Sequence, residues 1–135
     1  MDPIVVSALV LVRDRHLLMV TARGREVLYL PGGKQEPGET GEEALVRETR
    51  EEIGLELDRA TLVELGTVRS QAHGEPAGRE VHMRLWSAEP LDPDARPTPS
   101  AEIGELHWVT SADVDRCPPA GVETLRLVGE QGLID

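Results

Sequence analysis

The sequence predicts an α/β fold, a mixed β-sheet with helices packed on it. Three observations carry this. Two β-rich apolar segments open the chain, Val5–Val12 (VVSALVLV) and His16–Thr21 (HLLMVT). One long run of helix formers, from Thr40 to Ile53, then interrupts the strands. Further strand-like segments follow it, and a helical pattern closes the chain, which suits helices layered on a sheet.

Taken in order, Val5–Val12 is a β-rich, largely apolar run and reads as a strand buried on both faces. Arg13-Asp14-Arg15 is a polar turn, so His16–Thr21 is predicted to hairpin onto it. Beyond the charged loop Arg23–Glu26, Val27–Leu30 is a short strand stopped by Pro31-Gly32-Gly33. Gln35–Gly41 is a Gly/Pro/Glu loop. Thr40 opens the helix with Glu43 three residues on, a capping-box spacing, and Gly54 stands where a left-handed glycine ends a helix. Leu62–Ser70 and Val81–Ala88 read as longer strands joined by the turn-rich His73–Arg79. Four of the ten prolines make Glu89–Ser100 an irregular surface loop. Glu105–Val109 is a short strand and Ser111 caps a short acidic turn. Pro118-Pro119 breaks the chain, and Gly121–Gly129 forms a last helix with Val122, Leu125 and Val128 facing in. Tyr29, Trp86 and Trp108 are expected in the core, as large rings dominate small cores.

The length, 135 residues, is that of one domain spanning 1–135, large enough to bury roughly two-thirds of its unfolded surface. A single cysteine, Cys117, excludes an internal disulfide and a cysteine-built zinc site. Fourteen basic residues stand against 25 acidic ones, and the net charge of −11 opposes affinity for nucleic-acid backbones and anionic membranes. Three aromatic residues are too few for a row of base-stacking platforms. The longest apolar run, Ala8–Val12, falls far short of the roughly 20 residues of a membrane span. Met1-Asp2-Pro3 lacks the basic start of a signal peptide. The expectation is an acidic cytoplasmic protein with neither membrane nor long nucleic acid as partner. The four histidines show no zinc spacing, and neither a GxSxG elbow nor a P-loop occurs.

The acidity is concentrated. Between Lys34 and Glu56 there are eight acids and three bases, so −5 of the −11 falls in 23 residues. Within that stretch Glu48, Glu51 and Glu52 lie at i, i+3 and i+4, on one helical face, where like charges repel. A divalent cation reverses that cost, because hard cations take carboxylate oxygens. Gly32 and Gly33 let a backbone carbonyl approach a ligand, and a carboxylate cluster beside such a turn suggests metal-assisted attack of water on a phosphate chain.

Gly33, Glu39, Arg47-Glu48, Glu51-Glu52, Gly54 and Leu55 stand at spacings that resemble the Nudix box, the 23-residue signature of the Nudix hydrolases, here Gly33 to Leu55. Thr49 is the one loose position, where the family usually has an aliphatic residue. LPGGKQEPGET and IGELHWVTSADVDRCPPA are similar to the corresponding segments of the MutT-like branch, which hydrolyses nucleoside triphosphates. The resemblance implies an α/β/α sandwich and Mg²⁺-dependent hydrolysis (Mn²⁺ as a substitute) of a nucleoside diphosphate linked to a group X. Glu48, Glu51, Glu52 and the Gly32 carbonyl match its metal ligands, with Glu51 and Glu52 also in catalytic positions. Glu39 and Arg47 match its structural salt bridge. The general base varies among such enzymes, and Glu102, in a later loop, is taken here ahead of Glu105. Lys34 and Arg79 are candidates for substrate contact, each also readable as a surface charge. The proline of the ADP-ribose branch is replaced by Ser70-Gln71, and the tyrosine of the dinucleoside-polyphosphate branch by His73 and Gly74. Gly121 stands where the MutT-like branch carries a base-reading asparagine. Homodimers are common in the family. The rival reading is a Nudix-fold module that binds a nucleotide without cleaving it.

Overall fold

The opening apolar run divides at Leu11, and its two parts enter different sheets. The computed structural model describes residues 1–135. Its strands are β1 (Ile4–Val10), β2 (Val12–Arg13), β3 (His16–Ala22), β4 (Gly32–Lys34), β5 (Val63–Gln71), β6 (Glu80–Ser87) and β7 (Ile103–Val109). Its helices are α1 (Gly41–Ile53) and α2 (Pro119–Glu130), with 3₁₀ turns at Arg59–Thr61 and Ser111–Arg116. One sheet has the order β4-β1-β6-β5 and is mixed, with β1 parallel to β6 and antiparallel to β4. The other, β2-β3-β7, is antiparallel. The predicted hairpin is thus made by β2 and β3, across a turn in which Asp14 and Arg15 both take positive φ.

Alternation along the strands separates two cores. Ala8, Val10, Leu17, Met19, Met83 and Leu85 face α2, where Leu125 and Val128 are buried. Leu9, Leu11, Leu18 and Val20 face the other way and join Leu45, Val46 and Ile53 of α1. The molecule is therefore helix, sheets, helix in layers, as the α/β prediction required. Each fully buried leucine contributes about 1.5–3 kcal/mol.

Four local expectations are corrected. Val27–Leu30 does not form the strand: there only Tyr29 pairs, in a single bridge to Val20, and the ladder runs through the glycines instead. Gly32 has φ +151 and lies so close to the Ser7 carbonyl that a Cβ would collide with it, so the absent side chain is what admits β4 to the sheet. Pro119 does not break the last helix but begins it, its fixed φ being compatible with the first helical turn. Tyr29 and Trp108 are 39% and 40% exposed, and only Trp86 is buried. The cap of the Ser111–Arg116 turn is Thr110 rather than Ser111. No helix is long and apolar enough to cross a membrane.

Candidate active site

Helix α1 is fixed at both ends. The Thr40 hydroxyl accepts the Glu43 N–H and the Glu43 carboxylate accepts the Thr40 N–H, closing the capping box. Gly54 ends the helix at φ 67. The carbonyls that α1 leaves unpaired at this end are taken by the proline-rich loop. Thr98 N–H donates to the Ile53 carbonyl, and Ser100 donates its N–H to Glu52 O and its hydroxyl to Glu51 O. At its far end the same loop is held to the end of β3, with Arg23 N–H donating to the Glu102 carbonyl at 2.9 Å. Glu102 is thereby carried back beside Glu52.

The Arg47 guanidinium gathers the loop and the helix. Its Nε and Nη2 donate to the two oxygens of Glu39 at 2.7 and 3.0 Å, a two-pronged pair that holds the Glu39 carboxyl down at about 2. Nη2 also reaches the Lys34 carbonyl, and Nη1 donates to Glu48 at 2.9 Å and Glu51 at 3.3 Å.

Glu52 lies on the inward side of α1. It is only 6% exposed, and its Oε1 accepts the Gly32 N–H at 2.7 Å. Burial pushes its carboxyl up to about 8; repulsion from Glu102 and Glu48 adds to this and the Gly32 N–H opposes it. Burial also raises Glu48, against the pull of Arg47. Gly32 lies across from Ala8 on an outer strand with its N–H turned away from β1, and in such a ladder the carbonyl of the same residue turns the same way. Gly33 packs on the Glu48 carboxylate so closely that a Cβ would stand 2.5 Å from Glu48 Cδ.

Glu52 and Glu102 line a cleft of about 380 Å³, with Gly32 and Gly33 beside them and mostly apolar side chains elsewhere. The structure thus brings together Gly32, Glu39, Arg47, Glu48, Glu52 and Glu102. Glu51 is more than half exposed and joins the group only through Arg47. No three histidine, cysteine, aspartate or glutamate side chains converge as a preassembled metal cage. Lys34 and Arg79 line a different, smaller recess of about 290 Å³ and not the cleft. At the cleft Tyr29 and His73 meet edge to face, ring centroids 6.2 Å apart. Sequence reasoning placed Tyr29 in the core; the signal to the contrary was alternation, since Leu28 and Leu30 are buried and the residue between them must face out.

Residues 1–128 match the NUDIX domain. The CTP pyrophosphohydrolase of Escherichia coli is 30% identical over 132 residues, covering 93% of this chain and 90% of that one. The 8-oxo-dGTP diphosphatase of the same organism is 28% identical over 117 residues, or 79% and 81% of the two chains. The solution structure of the E. coli ORF135 protein superposes with a TM-score of 0.74 at 27% identity, over 98% of this chain and 92% of that one. With most of its length matched to the domain and relatives named as pyrophosphohydrolases and diphosphatases, the chain belongs to the Nudix hydrolase family.

Proposed function

We propose that this Nudix hydrolase cleaves a pyrophosphate bond in a nucleoside diphosphate linked to X, a nucleoside triphosphate or related nucleotide, with Mg²⁺ as cofactor and Mn²⁺ as a substitute. The observation that carries this is the buried Glu52 carboxylate, held by one backbone N–H, close enough to Glu48 and Glu102 to be repelled by both, and lining a mostly apolar cleft. A carboxyl pushed up by burial and by like charges gains most from a cation. The donor set is all hard oxygen, and magnesium asks for only one or two carboxylates, completing its shell from phosphates and water. A preassembled cage is therefore not required, and the residues fit. Glu48, Glu51, Glu52 and the Gly32 carbonyl would hold the metal. When bound, the metal polarises the phosphoryl oxygens and acidifies water.

The chain's own residues supply the rest. Glu102, on the turn ahead of β7 and open to solvent, takes the proton of the attacking water on its carboxylate. Arg47 holds the Glu39 loop against α1 and keeps Glu48 oriented. The apolar cleft receives the nucleoside. Lys34 and Arg79, outside the cleft, would reach only a group that extends beyond it. We read residues 1–135 as one domain of this kind, acting on a small molecule in the cytoplasm. A screen with Mg²⁺ of nucleoside triphosphates (oxidised ones included), nucleotide sugars, ADP-ribose and dinucleoside polyphosphates tests the proposal. Release of nucleoside monophosphate is expected, and binding without turnover across the panel would instead establish a sensor.

A further inference from the structure

The chain has only three aromatic residues, Tyr29, Trp86 and Trp108, and the one that lines the cleft with Glu52 and Glu102, Tyr29, is held out of the core. Tyr29 is fixed by reciprocal hydrogen bonds with Val20, its N–H donating at 2.9 Å and its carbonyl accepting at 2.7 Å. A ring on so rigid a backbone loses little freedom when a ligand covers it. His73 meets it across the cleft at an interplanar angle of 66°, so the two rings form a corner. A planar base lying on one ring presents its edge to the other.

The remaining polar side chains of the cleft are engaged elsewhere or closed off from a ligand. The Gln71 amide would be the natural reader of a base edge, but it is spent on its own loop. Its Nε2 donates to the carbonyls of Ala72, Glu75 and Pro76, and its Oε1 accepts the Gly78 N–H at 2.9 Å. These bonds hold the turn that carries His73. Ser7 is 1% exposed. Glu52 and Glu102 belong to the carboxylate end. The other lining side chains, Met83, Val81, Pro118 and Ala120 among them, offer no hydrogen bonds.

We infer that Tyr29 and His73 form the base-binding corner of this cleft, and that a nucleobase stacked on one ring meets at its edge the Tyr29 hydroxyl or the His73 imidazole, groups that can each donate or accept and so do not select one base. The inference rests on the nucleotide reading above and adds base tolerance to it: purines and pyrimidines enter alike, because every base offers a π-face.

Nucleoside monophosphates carry no pyrophosphate, so their binding is measured without turnover. In calorimetric titrations with Mg²⁺, AMP, GMP, CMP and UMP are expected to bind the native protein within about tenfold of one another. Tyr29→Ala should weaken all four by about tenfold or more, and His73→Ala should act in the same direction. Tyr29→Phe, which keeps the ring and loses the hydroxyl, should bind the four with the same tolerance as the native protein does. Ribose 5-phosphate, which lacks a base, should be indifferent to all three changes. Native-like binding by Tyr29→Ala, a preference of a hundredfold or more for one base, or no binding of any monophosphate overturns the inference. Triphosphate turnover measured in parallel separates the two claims. Turnover with Tyr29-independent binding leaves the hydrolase reading standing, whereas Tyr29-dependent binding without turnover removes only that reading.

Discussion

Glu52 on α1 and Gly32 on β4 are joined by a hydrogen bond of 2.7 Å from the glycine N–H to the carboxylate Oε1, across 20 residues of sequence. The bond ties the buried side of the carboxylate face, one residue from the end of α1, to the edge of the sheet. Glu52→Gln keeps an acceptor for that N–H and removes the charge. It is expected to lower kcat at least about a hundredfold while the protein stays folded by circular dichroism and melting. Near-native turnover in the variant would remove Glu52 from the proposed machinery.

The same carboxyl sets a pH dependence of stability in cation-free protein. Its folded value, about 8, lies above the ordinary 4.5, so the fold binds this proton more tightly than the unfolded chain does. The stabilisation is complete below pH 4.5 and is lost as pH rises through 8. Glu39, held at about 2, has the opposite sign, but its contribution changes only below 4.5. With a chelator present, the native protein should therefore lose Tm relative to Glu52→Gln between these limits, by several degrees at the upper end. Parallel Tm curves for the two proteins across this window would contradict the assignment.

The two glycines of β4 make different demands. At Gly32 an added Cβ meets the backbone of Ser7, which cannot move aside, and φ is positive besides. Gly32→Ala is expected to fail to fold, or to melt far below the native protein. At Gly33 the obstacle is the end of the Glu48 side chain, which can swing away. Gly33→Ala should then fold with a small loss of Tm and lose most of its turnover, because Glu48 is displaced. Equal damage to stability at both positions would show that Glu48 is not free to yield.

These contrasts also mark what was legible in the sequence. Thr40, Glu43 and Gly54 set both ends of α1 through local hydrogen bonds and one left-handed residue, so spacing alone located the helix and its carboxylate face. The Glu39–Arg47 pair spans eight residues and joins a loop to the first turns of that helix, a reach that sequence spacing also covers. The strand through Gly32–Lys34 was hidden because glycine has no strand preference of its own. That strand exists through its pairing with β1, a long-range contact. The separation of Lys34 and Arg79 from the cleft, and the meeting of Tyr29 with His73, depend likewise on how distant strands align.

Thr49 lies on the packing face of α1, at a position where the sequence pattern expects an aliphatic residue, and the structure shows a cost there. The side chain is 0% exposed and its hydroxyl has no hydrogen-bond partner. A buried hydroxyl without a partner costs about 1–3 kcal/mol of desolvation, and valine replaces it with a methyl group of nearly the same shape. Helix propensity barely distinguishes the two residues. Thr49→Val should accordingly raise stability by about 1 kcal/mol, seen as a Tm gain of a few degrees. Turnover should be unchanged, since Thr49 neither lines the cleft nor touches the carboxylates through a hydrogen bond. A fall in Tm would mean that the hydroxyl bonds to a carbonyl of its own helix, which the valine leaves unsatisfied.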